Sequence, residues 1–214
     1  FQLTFAVITP ALIVGAFAWY RHKAANAREQ AFSQLAVAGS ESQLAEIVRQ
    51  FPSTEAAVLA SFMKARAQYD NGLYADADQS YADFLKRHRQ HFLAPAARLG
   101  RAHCQEANGL TDEALAAYRQ FAAEHSEQKA FGLLARLGEA RCLRQSGKLA
   151  DAVALYENLL LEYPDSEWRA FVEDQKQATQ RDRARLEQPL ASLAAQAPAT
   201  APDAGTAPAA TNAP

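Results

Sequence analysis

Histidine, cysteine and arginine are the residues here whose chemistry depends on their company. The five histidines, His22, His88, His91, His103 and His125, form no HExxH or other metal-ligating spacing. Cys104 and Cys142 match neither a zinc-finger nor a CxxC pattern. Nothing pairs a nucleophile with a base, so no catalytic residue, metal or cofactor is expected and the chain reads as a non-enzyme. What remains is a row of cations: Arg66, His103 and Arg141 each stand six residues before a glycine (Gly72, Gly109, Gly147), and Arg98 and Arg136 stand eleven before the last two. On helices lining a concave groove, such a ladder would bind an acidic or C-terminal carboxylate segment of a protein partner. The competing account is a solvated helix face with local ion pairs to residues such as Glu106 and Glu139.

The elements that must carry this row are helices. The chain has 214 residues, about half of them apolar (49%), and the apolar set is rich in alanine, with only nine glycines. That supports one ordered domain and almost no sheet. A formal charge of −2, from 22 basic and 24 acidic side chains, gives no field that would select nucleic acid, and no small-molecule substrate is indicated.

Three segments align when their glycines are superposed: GLYADADQSYADFLKRH from Gly72, GLTDEALAAYRQFAAEH from Gly109 and GKLADAVALYENLLLEYP from Gly147. Alanine follows five later (Ala77, Ala114, Ala152), tyrosine nine later (Tyr81, Tyr118, Tyr156) and Phe84, Phe121 or Leu159 twelve later. These offsets share one helix face. Upstream, Ala60, Ala97 and Ala135 lie twelve before the glycine, Phe62, Leu99 and Leu137 ten before, and Ala65, Ala102 and Ala140 seven before. The unit is therefore helix, glycine-marked turn, helix, and such hairpins bury their faces only by stacking. Cys104 and Cys142 occupy one column and read as small core residues without a bridge. His88 and His125 close their units where the last has Tyr163, in a packing or helix-terminal role. A degenerate earlier unit follows from Phe51-Pro52 matching Tyr163-Pro164, with Leu44 and Ile47 in the tyrosine and Leu159 columns.

The Gly147, Ala152, Tyr156 and Pro164 pattern resembles the tetratricopeptide repeat, with units three or four residues longer than its usual length. The resemblance implies an all-α solenoid that binds protein partners. Phe1 to Tyr20 carry no charge and are long enough to cross a bilayer core of about 30 Å at about 1.5 Å per residue. Trp19-Tyr20 before Arg21, His22 and Lys23 fits an interfacial belt. A cleaved signal peptide is the alternative, since Ala16-Phe17-Ala18 fits a small-x-small cleavage pattern. Arg21, His22, Lys23 and Arg28, taken alone, favour a cytoplasmic soluble part.

The expected organisation is thus a transmembrane anchor at 1–20, a linker helix and degenerate repeat at 21–50, three repeats at 51–166, a capping helix at 167–187 and a disordered Ala/Pro-rich tail at 188–214. The apolar span ending in Gly-x-x-x-Trp-Tyr (Gly15 to Tyr20), the following Ala27-Arg28 helix and the overall size resemble the YfgM-like ancillary translocon subunit family. That resemblance implies a bacterial inner-membrane protein with a periplasmic domain, acting as chaperone or adaptor at the protein-export translocon or another envelope complex. A permanent structural subunit of a larger membrane complex is the second reading.

Overall fold

The computed structural model describes residues 2–196, with side chains from Gly15 to Gln188. Among the described residues there are nine helices and no strand: α1 (Gln2–Val37), α2 (Glu41–Gln50), α3 (Glu55–Asp70), α4 (Tyr74–Arg87), α5 (Ala94–Ala107), α6 (Thr111–Glu124), α7 (Lys129–Gln145), α8 (Leu149–Glu162) and α9 (Arg169–Gln196). They form antiparallel hairpins α1/α2, α3/α4, α5/α6 and α7/α8, with α9 laid along α8 as the closing helix.

The three central hairpins share one turn. Gly72, Gly109 and Gly147 have φ of 78°, 77° and 74°, the left-handed region that side-chain-bearing residues adopt only with strain. Each turn repeats the same pair of bonds: Leu73 N donates to Gln68 O and Gly72 N to Tyr69 O, both at 2.9 Å, with equivalents at Leu110/Gly109 and Lys148/Gly147. These satisfy the last carbonyls of the first helix, and the residue after the glycine starts the second. Gly109→Ala is expected to cost about 1 kcal/mol, because the added Cβ meets no atom but the backbone is strained. A lowered urea midpoint at unchanged slope would show it.

The aligned columns form the core. The alanine and tyrosine columns and the column of Phe84, Phe121 and Leu159 are all buried, as are Leu44 and Ile47 of the degenerate unit. Cys104 and Cys142 are buried free thiols, which burial pushes up to about 12, well away from reactivity. His88 and His125 cap α4 and α6 and pack on Phe84 and Phe121.

Two expectations need restating at the chain ends. The segment expected as a tail from 188 begins as helix, since α9 runs to Gln196. Leu190 to Gln196 is made of good helix formers, with Ser192 the weakest, so the helix continues after Pro189. Residues 197–214 lie outside the described residues. At the other end the expected span is the first part of the 36-residue α1, but its side chains through Val14 also lie outside the described residues. Among those described, no helix is long and apolar enough to cross a membrane.

Candidate functional site: the concave groove

The first helices of successive hairpins lie side by side, and their shared inner face forms a groove of about 630 Å³. Side chains six and ten residues before the turn glycine are four apart, hence about 40° apart on the helix, so both columns face the groove. Phe62, Leu99 and Leu137 give it an apolar wall, and Arg66, His103 and Arg141 stand beside them. Phe131, Leu134, Trp168 and Phe171 close the α7/α9 end. The Trp168 and Phe171 rings meet edge to face at 5.9 Å and are 39% and 41% exposed, which leaves part of each available to a ligand.

Arg98 and Arg136 are not in the groove. Five residues separate their column from that of Arg66, which turns them about 140° away. They brace hairpins instead: Arg98 Nη1 reaches Glu124 Oε2 at 2.8 Å, and Arg136 pairs with Glu162. The expected basic ladder is therefore shorter, and its charge is largely compensated. Arg141 makes a two-pronged contact with Glu106, Nε to Oε1 and Nη2 to Oε2, both at 2.8 Å. Tyr118 OH donates to Glu106 Oε2 at 2.7 Å, and Arg66 lies 3.4 Å from Asp70. Glu139 is held by Arg119 at 2.7 Å. The local ion-pair account describes these side chains better than a row of free cations.

The ionisation states follow from the packing. Burial alone would raise Glu106, but its bonds from Arg141 and Tyr118 and the nearby His103 hold it below the ordinary carboxylate value. Burial works against the charge of Arg141 too, and Glu106 more than offsets it. Burial, followed by the charge of Arg141, brings His103 down to about 4 from an ordinary 6.5, so at neutral pH it is an uncharged ring packed between Tyr69 and Tyr118. The groove thus presents a closed Arg141–Glu106 pair, an exposed Arg66–Asp70 pair and a neutral imidazole.

A pH dependence follows. Because the folded value of His103 lies below its unfolded one, the unfolded chain takes up the proton first. Stability is full above pH 6.5 and falls as pH drops towards 4, by on the order of 2 kcal/mol. The contribution of Glu106 has the same sign but starts to be lost only below its ordinary 4.5. Urea midpoints at pH 7.5, 5.5 and 4.5 should therefore decline, and His103→Gln should flatten the upper part of that decline.

A further column aligns with the turn glycines. Nine residues before the turn glycine stand Met63, Gly100 and Gly138. A Cβ on Gly100 would lie 2.7 Å from the Tyr81 ring, and one on Gly138 would lie 2.4 Å from that of Tyr118. Two mid-helix glycines in register, in helices otherwise rich in good formers, were the available signal. Among the described residues no group of three or more His, Cys, Asp or Glu side chains could hold a metal ion.

The family models that match agree with this architecture. The model of a tetratricopeptide repeat-like domain matches residues 2–120, and that of a tetratricopeptide repeat matches 134–166. A crystal structure of a tetratricopeptide repeat protein from Parabacteroides merdae is 18% identical, covers 78% of either chain and has a TM-score of 0.40. No curated protein matches.

Proposed function

The chain belongs to the tetratricopeptide repeat-like domain family, and from that premise we propose that it is a membrane-anchored, non-catalytic scaffold whose groove holds a segment of a partner protein. The observation carrying this reading is the groove itself, an aromatic and aliphatic channel with compensated charge and half-exposed Trp168 and Phe171 at one end. Its chemistry favours an apolar-faced segment over an acidic tail, because Arg141 is committed to Glu106 and His103 is neutral.

The anchor is α1. Its uncharged stretch from Phe1 to Tyr20 and the exposed Phe17, Trp19 and Tyr20 support insertion in a bilayer. The likeness to ancillary translocon subunits supports a place at the bacterial inner membrane, with the solenoid on the periplasmic side and a partner at the export translocon or another envelope complex. A permanent subunit would use the outer surface of the solenoid instead of the groove.

Isolation from cells at native abundance, with Phe171→Glu beside the wild type, tests the reading. A shifting set of substoichiometric partners, reduced about tenfold by Phe171→Glu, is expected of an adaptor whose groove binds through an aromatic hot spot. One stoichiometric complex indifferent to the substitution would overturn it in favour of the permanent subunit.

A further inference from the structure

A second cavity, of about 410 Å³, lies between α1 and the loop joining α2 to α3, lined by Tyr20, Arg21, Arg28, Ser53 and Thr54 with alanines of α1. Arg21 and Arg28 are seven residues apart, two turns of α1, and so share one face, while the small side chains of Ala24, Ala25 and Ala27 leave room between them. Most arginines of the solenoid are tied to carboxylates, Arg49, Arg98, Arg101, Arg119, Arg141 and Arg144 among them. Among the described residues Arg21 and Arg28 have no such partner, and no carboxylate lines the cavity. The nearest acid on α3, Glu55, is engaged by His91 at 2.8 Å. Thr54 caps α3, accepting from Ala57 N at 3.2 Å, so the positive end of that 16-residue helix lies at the same wall.

Position identifies the ligand. The cavity begins at Tyr20, the residue ending the uncharged stretch of α1, beside Trp19 and Tyr20, which are 65% and 66% exposed. Lys23 lies over the Trp19 ring at 5.3 Å and the Arg21 guanidinium over Phe17 at 5.8 Å, placing cations at the aromatic rim. Two exposed guanidinium groups compete poorly with water for a dilute soluble anion, whereas a membrane surface supplies phosphate at high local concentration.

Resting on the reading of α1 as a membrane anchor, we propose that this cavity holds the phosphate of an anionic phospholipid. Docking the headgroup there pins the α2–α3 loop against the bilayer, which fixes the tilt of the solenoid instead of leaving it to swing on α1.

The test uses the full chain reconstituted in nanodiscs of equimolar phosphatidylcholine and phosphatidylglycerol, with lipid retained on mild detergent extraction counted by mass spectrometry. Retained phosphatidylglycerol should exceed phosphatidylcholine by about tenfold or more, as expected of two basic side chains at a lipid surface. Arg21→Gln/Arg28→Gln should abolish the excess and Arg21→Lys/Arg28→Lys should keep part of it. Both side chains are exposed, so neither variant threatens the fold. Incorporation with equal retention would leave the anchor standing and overturn the site. Failure to incorporate in any nanodisc would overturn both. Loss of the excess on adding inorganic phosphate would assign the cavity to a soluble phosphate and overturn the lipid source.

Discussion

Gly138→Ala is expected to destabilise the solenoid by about 2 kcal/mol, although helix propensity alone would make it stabilising by about 1 kcal/mol. The added Cβ would lie 2.4 Å from Tyr118 Cζ and 2.5 Å from Cε1, too close for any ordinary contact. The ring cannot swing away. Tyr118 is fully buried, and its hydroxyl is held by Glu106 at 2.7 Å, so relief requires α6 and α7 to separate. Gly100→Ala is the internal comparison: its Cβ would meet the Tyr81 ring at 2.7 Å, but that ring, though 3% exposed, borders the groove and is not tied to a carboxylate as Tyr118 is, so it yields more readily. Urea unfolding should rank Gly138→Ala well below Gly100→Ala, and a Gly138→Ala protein as stable as the wild type would refute the close approach.

Glu106→Ala is expected to cost about 2 kcal/mol, since it strands the partly buried Arg141, whose side chain is 35% exposed, and leaves the Tyr118 hydroxyl without an acceptor. Removing both charges, as Glu106→Ala/Arg141→Met, should recover part of that loss, because no unpaired charge remains, although the Tyr118 hydroxyl still lacks its acceptor. The exposed Arg183–Glu187 pair provides the scale: breaking it should change stability by less than about 1 kcal/mol. The four-variant cycle, followed by denaturant midpoint, reads the coupling directly, and an additive result would mean that Glu106 and Arg141 do not act as a unit.

These two residues also show how far the amino-acid sequence carries the structure. The repeat was legible because three copies hold alanine, tyrosine and a large apolar residue at fixed distances from a glycine, and packing demands that register wherever hairpins stack. The groove-facing column of Arg66, His103 and Arg141 was legible for the same reason. Extending it to Arg98 and Arg136 ignored the 140° that five residues add, and both turned out to brace their own hairpins. The local ion-pair account named Glu106, but its pairing with Arg141 was harder to see: the two are 35 residues apart, three and six positions before their turn glycines, in helices that meet only after stacking. Trp168 and Phe171 open the segment expected as a capping helix, and the turn into α9 leaves both at the groove edge.

The claim that matters most is that the groove, and not the outer surface, meets the partner. A photoreactive phenylalanine at Phe171, in the groove, and at Phe92, 70% exposed on the α4–α5 loop and outside it, compares the two surfaces with one chemistry. Irradiation of intact cells should give partner adducts from position 171 in clear excess over position 92. Adducts of equal yield from both, or from position 92 alone, would contradict the account.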